Sequence, residues 1–145
     1  STCGMDAAHH RMAHRVIPAQ RQRCGAGPDR GFNRSGNHRI VGRVLAQVQI
    51  AAIAQAKRMA RAGEMSHLIG FNDSFGARMK GHDVPLPAAE NIAAGQDTVE
   101  RAVQAWIDSK RHLDNMLGGF NGLGVAVAWD SASGNRPYWA MVLSA

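Results

Sequence analysis

Three side chains, His67, Glu90 and His112, have the donor types for metal or acid–base chemistry. Two imidazoles and a carboxylate suit Zn²⁺ with an open position for water, and they suit proton transfer near neutral pH. Their separations, 23 and 22 residues, match no local metal motif, so only a fold that brings distant segments together could make them one site. No cysteine lies near them. Cys3 and Cys24 both fall near the start of the chain, where they could form one disulfide but no framework, and no Ser–His–acid or Cys–His nucleophile set can be assembled. The glycines at 118, 119, 122 and 124 precede a strand pattern rather than a helix, which excludes a phosphate-cradling loop.

The elements that must position these residues lie beyond Leu45. Leu45, Val48, Ala52, Ala56, Met59 and Ala60 recur at helical spacing, with Gln47, Gln55, Lys57, Arg58 and Arg61 on the polar arc. The pattern predicts a helix over 45–62, stopped by Gly63. Residues 66–95 read as mostly irregular, with a short helix over 73–80 and an extended passage forced by Pro85 and Pro87. Asp97 reads as an N-cap with Glu100 as its reciprocal acid, opening a helix to Ser109. That helix should bury Val99, Ala102, Val103, Trp106 and Ile107. Leu123 to Trp129 and Tyr138 to Leu143 alternate as strands around the turn formers of 130–137, predicting an antiparallel hairpin. Gly124, Ala126 and Ala128 share one strand face and would let a helix lie close. The fold class is α+β, helices on a small antiparallel sheet.

The chain has 145 residues, 45% of them hydrophobic, enough for one core, and no stretch long enough to span a membrane. Its net charge of +6 sits entirely in residues 1–44, where eight arginines face Asp6 and Asp29; residues 45–145 are neutral. Glycines and prolines punctuate residues 1–44, which read as an irregular arm: an arginine-rich tail for phosphates, a flexible segment without a partner, or lysine-free sequence of the kind that GC-rich coding regions give out of frame. A basic average confined to an arm argues against a nucleic-acid partner for the domain. No apolar signal-peptide core is visible.

A series of segments then points to a family. Ala56-Lys57-Arg58-Met59, Met65-Ser66-His67, Glu90-Asn91-Ile92-Ala93-Ala94-Gly95, Ala102 to Ser109, His112 to Leu117, Leu123 to Val127 and Tyr138-Trp139 follow one another in order. Together they resemble the superfamily of cysteine-rich secretory proteins, antigen 5 and pathogenesis-related proteins (the CAP superfamily), above all its compact bacterial SCP-like members, over about two-thirds of the chain. The resemblance implies an α-β-α sandwich with a cleft holding two histidines and two glutamates. His67, Glu90 and His112 match three of those positions. Ser109, beside Asp108, stands where the second glutamate is expected, and Asn91 and Asn115 read as amides bracing the cleft. The family's first helix is missing or degraded here. The resemblance implies an extracellular or cell-envelope domain of unassigned activity, with the cleft binding a metal ion such as zinc, a small molecule or a lipid without turnover. The alternatives are a zinc hydrolase, with His67 and His112 as ligands and Glu90 as general base, and a nucleic-acid binder acting through the arm.

Overall fold

The computed structural model describes residues 35–145. The disulfide that Cys3 and Cys24 could form lies outside the described residues, as does the stretch in which the family's first helix is read as missing or degraded.

The long helix α1 spans Ser35–Ala62, so residues 35–44, read as the end of an irregular arm, are helical. The apolar stripe ends near Val44, with Gly42 and Arg43 exposed, but arginine is a good helix former and needs no apolar period to continue a helix. At its other end α1 stops as expected: Gly63 takes a φ of 64° and the Glu64 N–H bonds back to the Met59 carbonyl at 3.2 Å. After α1 come α2 (Phe75–Gly81), β1 (Ala88–Ala94), α3 (Val99–Ile107), α4 (Lys110–Met116), β2 (Gly122–Ala128), a short 3₁₀ turn (Ser131–Ser133) and β3 (Tyr138–Ser144).

The strands form one antiparallel sheet in the order β1-β3-β2. The predicted hairpin is β2–β3. Strand β1, in the segment read as irregular, pairs along the other side of β3 from Ala88↔Ser144 to Ala94↔Tyr138. Its sequence, Ala-Ala-Glu-Asn-Ile-Ala-Ala, shows no apolar–polar alternation because both of its faces are covered.

Side chains alternate across the sheet and divide the core in two. On one face Ile92, Ala126, Ala128, Tyr138, Ala140 and Val142 pack with Val48, Ala52, Ala56, Met59 and Ala60 of α1 and with Met79 of α2. On the other, Ala93, Val125, Val127, Trp139, Met141 and Leu143 pack with Ala102 and Trp106 of α3. The architecture is the expected α-β-α sandwich. The small strand face meets α1 as the sequence implies: a Cβ on Gly124 would fall 2.6 Å from the Val48 carbonyl oxygen. Gln49, one residue on, closes the outer edge of β2. Its carboxamide donates to the Val125 carbonyl at 2.9 Å and accepts from the Val125 N–H at 3.1 Å, standing in for a neighbouring strand.

Two local expectations are corrected. Thr98, not Asp97, caps α3, its hydroxyl accepting from the Arg101 N–H at 3.3 Å. Asp97 instead pairs with Arg101 in solvent at 3.3 Å. The buried stripe of α3 is narrower than predicted, since Val99 and Ile107 are exposed. Trp106 explains this: its ring fills the space above the sheet and its Nε1–H donates to the Ile92 carbonyl at 2.9 Å, fixing which side of α3 faces inward.

Candidate functional site

The site is built around the sheet edge at β1. A strand sends consecutive side chains to opposite faces, so Glu90 and Asn91 point away from each other. Each reaches a different histidine-bearing segment.

On the α1 face, Glu90 is buried and meets two partners. The His67 Nδ1 lies 2.8 Å from Glu90 Oε1, and Arg78 of α2 grips both carboxylate oxygens, Nη2 to Oε1 and Nη1 to Oε2, at 2.8 Å each. Arg78 also donates from Nη2 to the His67 carbonyl at 2.9 Å, so one buried guanidinium ties the strand and the His67 loop together. Burial alone would raise the Glu90 pKa. The hydrogen bonds from His67 and Arg78 and their positive charges outweigh it and hold the carboxyl below its ordinary value of 4.5. An ionised carboxylate can only accept, so His67 donates from Nδ1, which in a neutral ring leaves the lone pair on Nε2. The His67 side chain is half exposed.

The loop that presents His67 is held by α1. Gln55, placed on the polar arc by sequence, is fully buried and donates to the Ser66 carbonyl at 2.7 Å. Arg58 pairs with Asp73, at the far end of the same loop. Polar residues at a helix–loop junction look solvent-facing in a periodicity count, which is why Gln55 was misplaced there. Arg78 left no sequence signal either: it sits on a seven-residue helix too short to show a period.

On the other face Asn91 is fully buried. Its Nδ2 donates to the His112 carbonyl at 3.0 Å, and its Oδ1 accepts from Asn115 Nδ2 at 2.9 Å. Both residues read as bracing amides therefore brace α4 against β1. Helix α4 itself was not predicted, since its seven residues bury no side chain fully. Ser109 stands at its N-cap position, yet its hydroxyl makes no cap; it lies 2.8 Å from His112 Nδ1. Asp108 ends α3 and bonds to Gln104, taking no part.

The two imidazoles are within electrostatic reach across the edge strand. Burial, then the charge of His67, then that of Arg111, push the His112 pKa below its ordinary value of 6.5. What the fold brings together is thus a His67–Glu90–Arg78 cluster and a His112–Ser109 pair hung from Asn91. Among the described residues, no three His, Cys, Asp or Glu side chains converge as a ligand set. Glu90 is committed to Arg78 through both oxygens, so the donors that fit a metal are the two imidazoles. Each has its Nδ1 beside an oxygen that can accept, the second-shell arrangement that orients a histidine ligand.

Known proteins resemble this fold. Among solved structures, an extracellular protein containing a SCP domain from Bacillus anthracis superposes with a TM-score of 0.58 at 28% identity, covering 68% of this chain and 31% of that one. The chain therefore spans about a third of that protein. An outer surface protein from Borrelia burgdorferi gives a TM-score of 0.59 at 14% identity over 78% of this chain and 95% of that one, a likeness of fold. No curated protein matches the sequence. The family model for CAP, the cysteine-rich secretory protein family, matches residues 43–143, a span that takes in His67, Glu90, Ser109 and His112. The sandwich and this match agree: the chain belongs to the CAP family.

Proposed function

We propose that the chain is an extracytoplasmic CAP domain whose cleft of His67, Glu90 and His112 binds a divalent metal ion without turnover, with zinc the metal that the two imidazoles suit. The observation that supports this is the division of labour around Glu90. Its carboxylate takes the His67 Nδ1–H and both arms of Arg78, which leaves His67 Nε2 outward and leaves no carboxylate oxygen free to act on water. His67 and His112 would hold the ion, Glu90 and Ser109 would orient them, and a bound zinc would supply a fixed positive charge and Lewis acidity. A small anionic molecule or lipid headgroup would be held by that charge.

The hydrolase alternative asks Glu90 to act as a general base. A carboxyl held below 4.5 by an arginine is a weak base, which favours the binding role. The extracytoplasmic setting rests on the extracellular and outer-surface relatives, and among the described residues no helix is long and apolar enough to cross a membrane.

Calorimetric titration of the metal-stripped protein with Zn²⁺ tests the proposal. One site should appear, His67→Ala and His112→Ala should each remove it, and Glu90→Gln should weaken it by about 10–100-fold. Absence of binding, or binding that survives both histidine substitutions, would overturn it.

A further inference from the structure

The cleft has a second positioning device, on the face of β1 that Glu90 does not reach. Asn91 is fully buried and its carboxamide is used at both ends, Nδ2 to the His112 carbonyl and Oδ1 to Asn115. Beyond the packing of Met116 against the α3-side core, helix α4 has few other ties. It has no fully buried side chain, Ser109 gives it no cap hydrogen bond, and its charged pair Lys110–Asp114 lies in solvent. The backbone of His112 is thus tied to the sheet through one amide group, at the same residue whose imidazole must be placed. On the opposite face, the residue before it ties His67.

We propose that Asn91 is the positioning residue for His112, so that the Glu90–Asn91 pair sets how the two imidazoles sit relative to each other. The consequence for metal affinity rests on the function proposed above; the positioning itself does not. A buried amide has four hydrogen-bonding sites, and removing the one that reaches His112 frees the first turn and a half of α4 to shift along the sheet. Because β1 is an edge strand, no further strand among the described residues stands beyond it to hold α4 in place.

The test compares Asn91→Ala, Asn91→Asp and Asn115→Ala in the full chain. Long-range ¹H–¹⁵N spectra report each histidine ring without metal, and Zn²⁺ titration reports the pair. Asn91→Asp keeps the shape and the bond from Asn115 but sets a carboxylate oxygen against the His112 carbonyl. Asn115→Ala changes a half-buried residue and covers the case in which the buried substitutions fail to fold. The expected result is that the His112 ring signals broaden or split in all three while those of His67 stay as in the parent, with Zn²⁺ affinity about 10–100-fold lower in the Asn91 variants. A residue of purely structural importance would lower the melting temperature and disturb both rings alike. That result, unchanged His112 signals, or Asn91→Asp behaving as the parent would overturn the proposal. A parent that binds no zinc refutes the metal reading, and the ring spectra then decide the positioning by themselves.

Discussion

Arg78 and Glu90 meet through two parallel hydrogen bonds of 2.8 Å, with both side chains almost completely withdrawn from water. A fork-to-fork pair of this kind is strong in a dry setting, but it stabilises only while both partners are present. Arg78→Ala leaves a buried carboxylate facing His67 alone and should cost about 3–5 kcal/mol. Arg78→Met with Glu90→Met should recover much of that, because it removes both charges. Urea unfolding of the parent and the two variants measures it; a loss below about 1 kcal/mol for the single variant would show that water reaches the pair.

The same carboxylate and His112 give the metal-free protein a defined acid response. Both pKa values are lower in the folded state, so on acidification the unfolded chain takes up each proton first. The His112 contribution is complete above 6.5 and declines below it; the Glu90 contribution is complete above 4.5 and is lost as pH falls through its depressed value. Stability should therefore fall in two stages between pH 7.5 and 3. His112→Gln should flatten the first stage and Glu90→Gln the second, as read from urea midpoints with chelator present.

Gly124 lets α1 touch the sheet. A methyl group there would fall 2.6–2.7 Å from the backbone of Val48 and Gln49, which cannot yield as a flexible side chain would. Gly124→Ala should cost about 1–3 kcal/mol. It should also lengthen the Gln49–Val125 bonds, visible as faster exchange of the Val125 amide. An unchanged amide would mean that the helix slides without lifting.

The N-terminus of α3 separates a cap from a neighbouring charge. Thr98→Ala should cost about 1 kcal/mol, whereas Asp97→Ala removes only a solvent-exposed pair with Arg101 and should change stability by less than about 0.5 kcal/mol. Thermal melts at equal pH and salt would reverse the assignment if Asp97→Ala proved the costlier.

Much of the fold can be read in the sequence wherever a long element buries one stripe. The α1 packing face, its stop at Gly63, the β2–β3 hairpin and the small-residue contact all follow from periods of 3.6 or 2. Short elements escape. Strand β1 has Glu90 and Asn91 side by side because each serves a buried partner on its own face, and this erases the alternation that marks a strand. Helix α4, seven residues long, completes barely two turns and buries no side chain fully, whereas α2, equally short, falls within the helix expected over 73–80. At the site, His67, Glu90 and His112 stand out by residue type. Arg78, Gln55 and Gln49 do not, because a buried polar residue reads as solvent-facing until its partner is placed. Asp97 illustrates the reverse error, in which a good capping type stands one residue from the cap.

One property of β1 carries further. Its two adjacent polar residues work because the strand turns them to opposite sides, and that depends on parity alone. Inserting or deleting a single residue in Ala88–Ala94 would send the carboxylate toward α4 and the amide toward Arg78, exchanging both sets of partners at once. Point substitutions in this strand can be graded, but a change in its length cannot. Its length should thus be among the least variable in the domain, whatever sequences surround it.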